Sequence, residues 1–91
     1  MSDRIDLYPI VIIEDRYSGV YSGGAWLAIA KAEDYYEGRE RRGEFCLYAG
    51  PSGSDPEAHA FGAQIPYIDW IAAGETPDDA LSNLKAKNPK K

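Results

Sequence analysis

The 91-residue chain has one cysteine, one histidine and one methionine. Cys46 alone excludes an internal disulfide and any metal site built from several cysteines. No apolar run approaches the ~20 residues of a membrane-spanning helix. The start, Met1-Ser2-Asp3-Arg4-Ile5-Asp6, lacks the basic and apolar stretches of a signal peptide, so cytoplasmic residence is the expectation. No Gly-Lys-Ser/Thr follows a glycine-rich stretch and no dinucleotide glycine pattern occurs, so neither phosphate-binding motif is present. Bases are scarce as well. The formal net charge is −5, and of the ten lysines and arginines four stand in the last seven residues, leaving a strongly acidic body. Such a body repels phosphate, which excludes unaided nucleic-acid binding and suits a basic protein partner.

What is abundant is aromatic side chain, with seven tyrosines and two tryptophans. These rings serve cores and interfaces alike. The length allows one domain, residues 1–91, with 1–6 and 88–91 expected as flexible ends.

Leu7 to Glu14 holds four consecutive β-branched residues, Ile10 to Ile13, and reads as a strand buried on both faces, with Pro9 at its start or edge. Asp15 to Gly19 supplies a turn. Residues 20–30, interrupted by Ser22-Gly23-Gly24, read as one bent strand or two short ones forming a hairpin with the first. The glycine pair marks a bulge, a bend or a close backbone approach.

The segment 31–43 mixes four bases with four acids and reads as a solvated connection. Glu44 to Tyr48 reads as a short strand, 50–56 as a loop and 65–73 as extended, while 58–64 is ambiguous. The clearest local signal is Thr76-Pro77-Asp78-Asp79 ahead of Ala80, Leu81 and Leu84. It supplies an N-cap, a proline at the first helical position and acids in the first turn, and Asn88-Pro89 stops the helix. The fold class expected is α+β, a small antiparallel sheet of three to four strands with one C-terminal helix packed on one face.

Groups capable of catalysis are few. A Cys46–His59 dyad would need a thiolate, whereas a cysteine in an apolar run is normally a buried hydrophobe. Glu14-Asp15 and Asp78-Asp79 are carboxylate pairs, best explained by a turn and a helix N-terminus. No catalytic residues, metal ligands or cofactor are assigned. Tyr17, Tyr21, Ser22, Gly23, Gly24 and Trp26 are the candidate binding residues, because exposed amides flanked by rings receive ligands by hydrogen bonding and stacking. Arg39, Arg41 and Arg42 join them as the one dense basic cluster of the body, though Glu37, Glu40 and Glu44 stand close enough in sequence to neutralise it.

The segments Tyr8 to Asp15 and Gly74 to Asn83 resemble the first strand and the turn-helix of the HicB-like antitoxin domain. That resemblance implies a sheet-plus-helix scaffold and a small ribonuclease toxin as partner. The chain departs from the family between the middle strands, where Gly23-Gly24-Ala25-Trp26 and the charged insert replace a proline-glycine segment. The run Asp15 to Ala28 also looks like one in short proteins of tailed phages and prophages. On that likeness the expected function is a non-enzymatic, phage-type inhibitor of a bacterial defence system, for example an anti-CRISPR-like protein. It would bind a host protein or complex with a basic nucleic-acid-binding surface. The alternatives are a sponge for a nucleotide second messenger and the antitoxin itself. No direct contact with nucleic acid or membrane is expected, and homo-oligomerisation through an exposed strand stays open.

Overall fold

The computed structural model describes residues 7–36, 38 and 40–88. The expected flexible ends, apart from Asn88, lie outside the described residues, as does Arg39. The architecture is α+β. Three short strands, β1 (Val11–Glu14), β2 (Trp26–Ile29) and β5 (Ile71–Gly74), form an antiparallel sheet in the order β1-β2-β5. The register sets Val11 opposite Ile29, Glu14 opposite Trp26, and Trp26 opposite Gly74. A separate ribbon pairs β3 (Tyr35–Tyr36) with β4 (Glu40–Arg41). Among the described residues there are three α-helices, α1 (Arg42–Tyr48), α2 (Asp55–Gln64) and α3 (Pro77–Lys87).

Alternation along the strands divides the apolar residues between two cores. Ile13, Leu27, Ile29 and Ile71 pack with Cys46 of α1 and Phe61 of α2. Ala28 and Ala72 face the other way and pack with Ala80 and Leu84 of α3, where Ile10, Ile12 and Trp26 close the edges. The β-branched run of the first strand is thus used on both faces.

α3 forms as its sequence dictates. The Thr76 hydroxyl oxygen accepts from the Asp79 N–H at 3.0 Å, and Pro77 opens the helix. Its far end secures the exposed edge of β5. Asn83 donates to the Ala73 carbonyl at 2.8 Å, and the Lys87 ammonium donates to the carbonyls of Ile65, Ile68 and Ile71 at 2.7, 2.9 and 2.6 Å. Burial pushes Lys87 below the ordinary lysine pKa, and nearby Asp69 opposes that.

The middle of the chain departs from expectation. Glu44 to Tyr48 is helical rather than a short strand, and the helix is held by Phe45 stacking on Tyr36 at 4.3 Å and by Cys46 turning into the core. Residues 50–56 are a 3-10 turn (Gly50–Ser52) followed by the start of α2. There the Glu57 carboxylate accepts from the Ser54 N–H at 3.2 Å, half of a capping box. Ala58, Phe61, Gly62 and Ile65 supply the buried stripe of the 58–64 region. Residues 65–67 form another 3-10 turn, so the last strand starts only at Ile71. Residues 20–25 are turns, and only 26–29 of the expected bent strand is extended, antiparallel to β1.

Candidate functional site

The turn region between β1 and β2 is organised around one buried carboxylate. Asp15 is 4% exposed. It accepts from the Gly19 N–H at 2.5 Å and from the Ser22 hydroxyl at 3.3 Å. Around it the backbone adopts left-handed conformations at Ser18 (φ 56°), Gly19 (φ 88°) and Gly23 (φ 95°). Four of the amide hydrogens, those of Ser18, Gly19, Val20 and Gly23, are used within the loop. Ser18 donates to the Asp15 carbonyl, Val20 to Tyr17 and Gly23 to Gly19, at 3.0–3.1 Å. This is the reverse of a phosphate-cradling loop, which turns its N–H groups toward the ligand.

The loop is anchored on both sides. Arg16 donates to the carbonyls of Ser52 and Gly53, and the Tyr17 hydroxyl donates to Gly53 at 2.5 Å. Tyr17 meets Tyr21 edge-on at 5.3 Å, and Tyr21 leans on His59 of α2 at 5.6 Å. Desolvation, assisted by Asp55 and opposed by Arg16, raises the Tyr17 pKa, so the phenol keeps its donor proton. On the other side three backbone layers touch. A Cβ on Gly24 would meet the Gly74 backbone at 2.6 Å, and one on Gly74 would meet the Asp79 carbonyl carbon at 2.6 Å. The glycine pair is therefore a close backbone approach, one of the outcomes its sequence allowed.

This packing gathers negative charge. Glu14 ends β1, Glu75 follows β5, Asp78 and Asp79 open α3, and Asp55 stands beside Tyr17; all five are exposed. The antiparallel register puts the ends of β1 and β5 together at the start of β2. Arg16, the base nearest in sequence, is engaged with the Ser52 and Gly53 carbonyls. An open depression of about 320 Å³ lies at this end, lined by Ser18, Gly19, Gly23, Gly24, Ala25 and Glu75.

The remaining candidate residues go elsewhere. Trp26 packs against the α3-side core rather than beside Tyr17. Arg42 donates to the Ala30 carbonyl at 3.3 Å and lies 4.8 Å over the Trp70 ring, while its Nε is buried without a partner among the described residues. Ala30 is about 13 Å along β2 from Trp26, at ~3.3 Å per residue. Arg41 covers Tyr35 at 5.6 Å. Arg41 and Arg42 thus stand away from the loop, and Tyr17, Tyr21, Ser22, Gly23 and Gly24 are the candidates brought together.

Two residues that sequence reasoning left out of the site prove central. Asp15 was read only as a turn former, although a carboxylate beside Ser22-Gly23 is a recognisable anchor for such a turn. Glu75 carries no signal of its own in the sequence, standing between the end of β5 and the Thr76 cap.

Cys46 is fully buried, and desolvation, opposed by Arg42, pushes its thiol up to about 12. His59 is exposed on α2, and no hydrogen bond joins the two among the described residues. Among the described residues no three His, Cys, Asp or Glu side chains are placed to hold a metal ion, and no helix is long and apolar enough to cross a membrane. No protein-family model, curated protein or solved structure matches the chain.

Proposed function

We propose that this chain is a non-enzymatic binding protein that lays its acidic loop end on a basic surface of another protein, in the manner of a phage-type inhibitor covering the nucleic-acid channel of a host defence complex. One observation carries the reading. The glycine-aromatic loop spends the Ser18, Gly19, Val20 and Gly23 amide hydrogens on its own acceptors, and exposed Glu14, Glu75 and Asp78 stand at the same end of the sheet, with Asp55 beside Tyr17. Such a surface attracts cations and repels phosphate. Anchoring by Arg16, Tyr17 and the Gly24–Gly74 contact fixes it before a partner arrives, which lowers the ordering cost of association.

A nucleotide sponge draws less support within one chain, since Arg41 and Arg42, which would grip phosphate, stand away from the loop. An antitoxin that neutralises a basic ribonuclease uses the same polarity as the inhibitor and differs in the identity of the partner.

The test is affinity capture from a defence-positive bacterial host, repeated with Glu14→Lys, Glu75→Lys and Asp78→Lys combined. The expected result is one protein complex retained at low salt, released as salt rises, and weakened roughly tenfold or more by the triple variant. Capture that ignores both salt and the charge reversals overturns the reading.

A further inference from the structure

We propose that the depression between the 18–24 turn and Glu75 is a subsite for the guanidinium of an arginine presented by the partner. This rests on the binding role above and locates where the partner's cation sits. At about 320 Å³ the depression lies at the bottom of the range for small-molecule sites, about 300–1,000 Å³, so it suits one side chain better than a dinucleotide. Glu75 is the charged member of a lining otherwise made of Ser18, Gly19, Gly23, Gly24 and Ala25.

The charge of that lining is of one sign. The Ser18 and Gly23 N–H groups donate to carbonyls within the loop, and the Gly19 N–H donates to the buried Asp15 carboxylate. The carbonyls of Ser18 and Gly23 accept no hydrogen bond among the described residues, and the Gly24 and Ala25 N–H groups donate none there, so the Glu75 carboxylate sets the preference for a cation. The α3 N-terminus next to Glu75 offers an anion little either. The Asp79 and Ala80 N–H groups already donate to Thr76, and Asp78 and Asp79 add negative charge there.

A guanidinium presents five N–H donors in a plane, is weakly hydrated and always charged. It satisfies one carboxylate and neighbouring carbonyls together, where an ammonium acts as a compact, strongly hydrated point charge. The receiving frame is rigid. Ser18, Gly19 and Gly23 hold left-handed backbone, and Gly24 is pressed against Gly74.

The experiment titrates the ¹⁵N-labelled full chain at low salt with acetyl-Gly-Arg-Gly-amide and with its neutral citrulline counterpart. The arginine peptide is expected to shift the Gly19, Gly23, Gly24 and Glu75 amide resonances saturably, and the citrulline peptide to leave them unmoved. Glu75→Gln is expected to weaken the interaction roughly tenfold with its urea midpoint unchanged. Arginine-dependent shifts spread over Glu14, Asp78 and Asp79 and unaltered by Glu75→Gln overturn the subsite while leaving the acidic-end reading intact. The subsite also falls alone where no arginine-dependent shift appears although the host complex is still captured in a salt-sensitive way. Failure of both measurements removes the binding role as well.

Discussion

Gly24 and Gly74 meet backbone to backbone, so closely that a Cβ added to Gly24 would lie 2.6 Å from both the nitrogen and the oxygen of Gly74. Neither side of that contact can yield by rotating a side chain. Gly74 is in turn pressed against the Asp79–Ala80 backbone, so loop, strand and helix are stacked without spacers. Gly24→Ala must therefore push β5 and the start of α3 away, an overpacking cost of about 1–3 kcal/mol. Gly23 is the internal control. Its φ is 95° but nothing lies near its missing side chain, so Gly23→Ala costs about 1 kcal/mol through backbone strain alone. Urea denaturation of both variants checks the order, and equal losses would remove the close approach as the reason for Gly24.

Lys87 holds together the carbonyls of Ile65, Ile68 and Ile71, at the junction between the second 3-10 turn and β5. Lys87→Met keeps the apolar stem and removes the donors, leaving three carbonyls to find water at a part-buried site. A loss of about 2–3 kcal/mol is expected, at the upper range for bonds to a charged group. Amide exchange should quicken around 68–71 before the rest of the sheet. Uniform exchange, or a change of a few tenths of a kcal/mol, would mean that solvent already serves these carbonyls.

The outer elements were legible in the sequence and the middle ones were not. The run from Ile10 to Ile13 announced a strand, which forms over Val11–Glu14 with Ile13 buried and Ile10, Val11 and Ile12 partly buried, and Thr76-Pro77 with Asp78 and Asp79 announced α3, because in both places local chemistry and tertiary packing ask for the same residues. In α1 they conflict. A seven-residue helix containing Gly43 has little intrinsic stability and is held by Phe45 on Tyr36 and by the burial of Cys46. α2 did carry a signal, Ser54 three residues before Glu57 followed by small and apolar residues at helical spacing, but two prolines and two glycines in 50–56 disguised it. At the site, a tight backbone contact was readable from Ser22-Gly23-Gly24, whereas Gly74 as its partner was not, since the two are distant in the chain. That Arg41 and Arg42 stand away from the glycine-aromatic loop was hidden for the same reason: sequence neighbours reveal little about which end of a sheet they occupy.

Asp15 should be worth more to the loop than to the sheet. Asp15→Ala strips the acceptor from the Gly19 N–H and from the Ser22 hydroxyl, stranding a part-buried donor at a cost of about 1–3 kcal/mol. Asp15→Asn keeps a side-chain oxygen able to accept from Gly19 and should lose about half as much. The distinguishing measurement is amide exchange at Gly19 and Gly23, expected to accelerate strongly in the alanine variant while Leu27 and Ile29 stay protected. If strand and loop amides accelerate together, Asp15 supports the whole fold rather than the site.

Cys46 links stability to alkaline pH. Its thiol moves from 9.0 up to about 12 on folding, through desolvation against the weaker pull of Arg42. The unfolded chain therefore releases this proton first. The contribution to stability is whole below pH 9 and is lost as pH rises from there toward 12. By pH 10 the loss is about 1 kcal/mol, at ~1.4 kcal/mol per pH unit of unfolded-state ionisation. The comparison is with Cys46→Ala, which carries a pH-independent cavity cost and lacks the thiol's slope. The same burial predicts that iodoacetamide at pH 8.5 leaves the folded protein unlabelled and reacts at once in urea. Rapid labelling of the native state would place the thiol at the surface, and the lost slope would then have no cause.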